Sequence, residues 1–274
     1  MIKTFSQAGN NRNEDSFFAC QDFCFVIDGA TGLSGEKVSP MQSDAQWFAI
    51  CLRDYLKENL KTNKPIKEIM KNAVVYVNEE FEKFEGAEKV NSRPSAGISL
   101  FRVCGNKVEY FVLGDCSIVF KFKNNEINHI HGQDLEKLDK ININLMAKIA
   151  KEKNINVIDA RPLISNELLN TRNLQNKPNG YYIFSNSIEA INHGLHGFFD
   201  KSEISQIMLT SDGYSQIFDL FEHYTLSELF DLVKEKQLEE IYETLYNLQE
   251  KDKNCNNYPR FKTRDDATAV SFEF

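Results

Sequence analysis

A chain of 274 residues that is 42% apolar and holds 21 Phe has enough hydrophobic side chain to bury a sizeable core. Lys and Arg number 32 against 40 Asp and Glu, for a net charge of -8, and no basic run exceeds a few residues; this excludes nucleic acid as the expected partner, because phosphate contacts need clustered cations. No apolar stretch approaches the ~20 residues of a membrane span, MIKTFSQAGNN lacks the apolar core of a secretory signal, and the six cysteines form no CxxC pair, so the expectation is a soluble cytoplasmic monomer with reduced thiols and no membrane partner.

SFFACQDFCFVID reads as two strands with a turn near Gln21-Asp22. From Ser43, a plausible N-cap, the period changes: Ala45, Phe48, Ala49, Leu52, Tyr55, Leu56 and Leu60 recur at helical spacing. Asn63, Lys64 and Pro65 break that helix, and a second one carries Ile66, Ile69, Met70, Ala73, Val74, Val77, Phe81 and Phe84 on one face. AGISLFRV, KVEYFVLGD, SIVFKFK and EINHI are short, rich in β-branched and aromatic residues, and predict a meander of antiparallel strands. A helix is predicted around Leu135 to Ile149. Residues 153–180 are rich in Asn, Pro and Gly with poor periodicity, as expected of a functional or mobile loop. GYYIFS and ISQIMLTSDG read as strands, and Leu226, Leu229, Phe230, Val233 and then Leu238, Ile241, Leu245, Leu248 mark two helices. ATAVSFEF closes the chain as a strand, and strands at both ends favour one domain in which the last pairs with the first.

Acidic residues recur where strands end. NRNEDSFF puts Glu14 and Asp15 before a strand; FVIDGATG puts Asp28-Gly29 after one; FVLGDCS puts Gly114-Asp115 between two. IMLTSDGYS puts Asp212-Gly213 between a strand and a helix, and KTRDDATAVSF puts Asp265-Asp266 before the last strand. One such acid alone is a turn residue. If several converge, their carboxylates cannot all stay ionised without a cation. Mg²⁺ and Mn²⁺ favour such oxygen ligands, and two such ions about 4 Å apart can hold a hydroxide for attack on phosphorus.

The ordered set NED, DG, GD, SDG and DD-x-T, spanning about Asn13 to Phe274, resembles the metal-dependent serine/threonine phosphatases of the 2C type in their bacterial style. The resemblance implies an α+β fold, a four-layer αββα sandwich of two antiparallel sheets flanked by helix pairs, as one domain over residues 1–274. It implies two Mn²⁺ or Mg²⁺ ions, with Asp28 bridging both, the Gly29 carbonyl on one, Asp212 and Asp265 completing the site, and Asp15 and Glu14 binding through metal-held waters. Asp115, with Asp212, would hold a third ion, and a metal-bridging water would be the nucleophile, leaving cysteine no catalytic part. Residues 153–180 fall where that family has its flap. The chain departs from the family pattern in three places. Ala30 follows the DG motif, where many members have His or Met. Asn10 stands at the usual phosphate-binding Arg, with Arg12 the nearest substitute for the substrate phosphate. Cys116-Ser117 follow Gly114-Asp115 without the usual Arg.

The expected activity is therefore hydrolysis of phosphoserine and phosphothreonine in phosphorylated protein substrates. The alternatives are a catalytically weak phosphatase-fold binding module and a phosphatase of small phosphorylated metabolites. His129, His131, His193 and His196 have metal-like spacing, but no Cys or Asp completes a zinc set in sequence. Cys20 and Cys24 read as core or strand residues, and Trp47 as buried on the apolar face of the first helix.

Overall fold

The computed structural model describes residues 1–32, 37–90 and 93–274. The chain opens with β1 (Ile2–Gln7), β2 (Asp15–Ala19) and β3 (Phe23–Ala30), followed by α1 (Asp44–Asn59) and α2 (Ile66–Phe81). Four strands come next: β4 (Ser95–Cys104), β5 (Lys107–Leu113), β6 (Ser117–Phe122) and β7 (Ile127–His131). Then come α3 (Gln133–Lys153), α4 (Val157–Ala160), α5 (Ser165–Arg172), β8 (Leu195–Asp200) and β9 (Ile204–Thr210). The last elements are α6 (Asp212–Asp219), α7 (Leu226–Glu235), α8 (Leu238–Lys251) and β10 (Ala267–Glu273). They form two five-stranded sheets, ordered β1-β10-β9-β6-β7 and β2-β3-β4-β5-β8, in which every pair is antiparallel. The first and last strands pair, Ile2 opposite Phe272.

β3 shows why the layers form. It is apolar on both faces: Phe23, Phe25 and Ile27 point to α1 and α2, while Cys24 and Val26 point to the other sheet. A strand covered on both sides loses the polar alternation of a half-exposed one. Phe101 and Val112 meet Ile118, Phe120, Leu209 and Val270 between the sheets. Phe5, Val119, Met208 and Ala269 face α6, α7 and α8 on the outer side. The result is an αββα sandwich. Its helices start where polar side chains satisfy free backbone N–H groups: Ser43 Oγ accepts from Gln46 N at 3.1 Å, and Thr225 and Glu228 form a reciprocal capping box at α7.

Several segments differ from the sequence expectation. The predicted meander is two hairpins, β4-β5 and β6-β7, in different sheets. The chain changes sheets at Gly114, whose φ of +85° suits a residue without a side chain. GYYIFS makes only isolated bridges, because β5 pairs with β4 from Ile98 onward and leaves Ala96 alone to pair with Phe184. Residues 157–172 are short helical turns rather than loop, and β8, an edge strand holding His196, carried no apolar alternation to read. α3 starts at Gln133, before its predicted start at Leu135, and runs about one turn past its predicted end at Ile149. Trp47 is only partly buried, packed edge-on against Phe84 just past the end of α2.

Candidate metal centre

The strand register brings the motif carboxylates together. Pairing of β2 with β3 sets Asp15 opposite Asp28, and pairing of β3 with β4 sets Gly97 opposite Asp28. Gly97 leaves room for the crossover between sheets: a Cβ there would lie 2.2 Å from Asp115 Oδ1. One carboxylate oxygen each of Asp28 and Asp115 and the Cys116 sulfur lie within 4.8 Å of one another. Asp212 opens α6 directly after β9, within hydrogen-bonding reach of Asp28. Asp265 precedes β10, the neighbour of β9, so both acids stand at the same end of that sheet. A cavity of about 310 Å³, lined by Asp115, Asp139, Asp212, Asp265 and Lys262 among others, opens on this cluster.

Burial, then the charges of Asp15, Asp212, Asp115 and Asp265, push the Asp28 carboxyl well above the usual range. Burial, then Asp265 and Asp115, do the same to Asp212. Asp15 rises to about 7, mainly through burial, although hydroxyls of Thr268 and Ser211 favour its ionised form. Burial also raises Asp115. Asp15 Oδ2 accepts from Ser211 Oγ at 2.8 Å, but Asp15 Oδ1 and Asp115 Oδ1 are buried without a hydrogen-bond partner among the described residues. Buried orphan oxygens amid mutually repelling carboxyls fit a divalent cation. The donor set also selects its type. Burial and the nearby acids push the Cys116 thiol far up, so it stays protonated and the ligands on offer are oxygens. A cation meets the cluster at Lys262, whose Nζ lies 2.6 Å from Asp265 Oδ1. Burial alone would lower its pKa, but Asp265, Asp212 and Asp28 outweigh burial and raise it.

Glu14 has protein partners of its own. Its carboxylate accepts from Thr31 Oγ1 at 2.5 Å and pairs with Arg12 Nε at 2.9 Å. Its backbone works as a strut: Glu14 O accepts from Gly29 N at 3.2 Å, and Glu14 N donates to Asp266 Oδ2 at 2.7 Å. Gly29 is packed so closely that a Cβ would meet Glu14 O at 2.5 Å. The Asp265-Asp266 pair divides its labour, since Asp266 also accepts from Gly9 N and ties down the N-terminal loop. His129 and His131 lie side by side on β7 with ring centroids 4.3 Å apart, and His193 stacks on Tyr182.

The sequence reading missed Gly97, Lys262, Asp139 and Arg172. Asp139, on α3, is raised to about 7 by burial and then by Asp115, while Arg172 opposes the shift. Arg172, at the end of α5, reaches Ser95 Oγ at 3.3 Å and Thr31 O at 3.4 Å. Only Gly97 left a signal, a glycine inside a strand, which marks close approach of another backbone or side chain.

A family model described as protein phosphatase 2C matches residues 5–253. No curated protein matches the sequence. Among solved structures, the serine/threonine phosphatase Stp1 from Staphylococcus aureus aligns at 13% identity and a TM-score of 0.57, covering 100% of this chain and 94% of that one. The Mycobacterium tuberculosis phosphatase PstP/Ppp aligns at 13% identity and a TM-score of 0.55, covering 100% and 98%. A PstP catalytic domain in complex with two manganese ions aligns at 14% identity and a TM-score of 0.52, covering 99% and 96%.

Proposed function

The chain belongs to the protein phosphatase 2C family and is a metal-dependent protein serine/threonine phosphatase, and on that premise we propose that it hydrolyses phosphoserine and phosphothreonine at a binuclear Mn²⁺ or Mg²⁺ site. The observation that carries this reading is the convergence of Asp15, Asp28, Asp115 and Asp212, with two carboxylate oxygens left without partners. When bound, the two ions would supply charge neutralisation and an activated water for attack on phosphorus.

The side chains divide the remaining work. Asp28, Asp212, Asp265 and the Gly29 carbonyl would hold the two ions. Asp15 and Glu14 would act through water, and Asp115 with Asp212 would hold a third ion. Lys262 holds the Asp265 carboxylate in place through its 2.6 Å contact. Arg12, its side chain 42% exposed and paired with Glu14, can turn toward a substrate phosphate. Ala30 offers no proton, so the leaving alkoxide takes its proton from solvent. Residues 153–180 form a flap-like segment of a single domain over 1–274.

Hydrolysis of p-nitrophenyl phosphate tests the mechanism. Turnover is expected with Mn²⁺, none with EDTA, and a loss of about 10²-fold or more for Asp28→Asn, the scale of losing one strong electrostatic contact to the transition state. Activity that survives both EDTA and the substitution would falsify the binuclear site. Tight Mn²⁺ binding with no turnover of any phosphomonoester would leave a binding module. Faster hydrolysis of small phosphorylated metabolites than of a phosphothreonine peptide would replace the protein substrate.

A further inference from the structure

The chain is acidic overall, yet one of its large cavities is cationic. A cavity of about 880 Å³ beside α5 is lined by Arg93, Arg161, Arg172 and Lys177 and by no carboxylate among the described residues. Gathering like charges costs Coulomb energy that an anion would offset. Arg93 is paired with Glu82 outside the lining, whereas Arg161 Nε is buried with no hydrogen-bond partner among the described residues. Core packing does not explain the arrangement, because α5 buries none of its residues. Arg172 joins the cavity to the metal centre: it contacts the Thr31 carbonyl, just beyond the strand end that carries Asp28.

We propose that this cavity docks acidic residues flanking the phosphorylated side chain of a protein substrate, so that phosphoserine and phosphothreonine are taken preferentially from acidic sequence. The proposal rests on the phosphatase reading for its occupant. With the phosphate at the carboxylate cluster, a peptide passing Thr31 meets Arg172, which shares its cavity with Arg161 and Lys177. The volume suits several side chains rather than one ion, and the complementarity sets partner choice more than raw affinity.

The experiment is fluorescence anisotropy of two labelled peptides carrying a non-hydrolysable phosphonate analogue of phosphothreonine, one with Asp and Glu flanks and one with Lys flanks, against the Mn²⁺-loaded protein. The acidic peptide is expected to bind about tenfold tighter at low salt, with the gap narrowing as salt rises. Arg161→Glu and, separately, Lys177→Glu are each expected to erase or reverse that preference. Lys177 is exposed, so its charge reversal is read without a folding defect, and a thermal melt checks Arg161→Glu. Equal binding of both peptides by the unmodified protein, or a preference that survives both substitutions, overturns the proposal. So does competition by a small phosphorylated metabolite as strong as by the acidic peptide. Hydrolysis of p-nitrophenyl phosphate by the unmodified protein is measured alongside. Its failure with the preference intact removes the catalytic reading alone, and a lost preference with turnover intact removes the docking site alone.

Discussion

Gly97 is the smallest residue the site depends on. It faces Asp28 across the β3-β4 pair, and the space its missing side chain leaves is filled by Asp115 Oδ1. In Gly97→Ala, either the strand or the carboxylate must shift. The strand is held by β3 at Gly97 and by the Phe184 bridge at Ala96, so the carboxylate is the part that moves. The variant is expected to keep its far-UV circular dichroism and to lose the weakest Mn²⁺-binding step in calorimetry, with activity down on the order of 10- to 100-fold. A binding isotherm identical to that of the parent would show that Asp115 holds no ion. Asp15, Asp28, Asp212 and Asp265 could be read in the sequence because each sits in a short ordered string beside a strand. Lys262 and Arg172 could not: what gives them meaning is a partner from a distant element, and nothing next to Arg172 in sequence points to Thr31.

The segment between α8 and β10 has no regular structure, yet it delivers Asp265 and Lys262 to the site. A buried ion pair holds it in shape. Arg260 Nη1 meets Asp252 Oδ2 at 2.9 Å, with both side chains about 5% exposed, and Asp252 also accepts from the backbone N–H groups of Asn256, Asn257 and Tyr258. Burial would raise the Asp252 carboxyl, but the hydrogen bonds from Asn257 and Arg260 prevail and hold it below the usual range. Stability from this group is therefore present above the ordinary carboxylate pKa of about 4 and is lost as pH falls below it. Arg260→Met leaves a buried carboxylate without its charge partner, for an expected cost of about 3–5 kcal/mol in urea unfolding at neutral pH. Mn²⁺ should bind the variant more weakly as well, because Asp265 hangs from the same segment. Unchanged Mn²⁺ affinity in a destabilised variant would separate the ion pair from the site. The same contrast in burial explains which elements were legible. α1 and α2 press one face into the core and so show helical spacing, whereas α5 buries nothing and β8 lies at an open edge, and neither left a pattern.

At the scale of the molecule, the two sheets bring acids from β2, β3, the β5-β6 crossover, α6 and the lead into β10 to one place, and a protein without metal bears that repulsion alone. The groups concerned shift in one direction: Asp15 and Asp139 rise to about 7, and Asp28, Asp115 and Asp212 are raised too. A carboxyl whose folded pKa is raised binds more protons in the folded state than in the unfolded chain. It therefore contributes stability that is complete below the ordinary pKa of about 4 and is lost as pH climbs toward 7 and beyond. In EDTA, the melting temperature is expected to fall from pH 5 to pH 8, a window above the one in which Asp252 acts. Mn²⁺ binds only the folded form with its carboxylates ionised, so it should restore about 2.7 kcal/mol at a hundredfold excess over its dissociation constant. Because protons and Mn²⁺ compete for the same oxygens, the stabilisation by metal should grow with pH while metal-free stability declines. Asp28→Asn removes the acid whose charge is felt alongside Asp15, Asp212, Asp115 and Asp265, so it should flatten the EDTA profile and shrink the Mn²⁺ increment together. If the EDTA profile is already flat in the parent protein, the acids do not share one site, and the function built on their convergence falls with it.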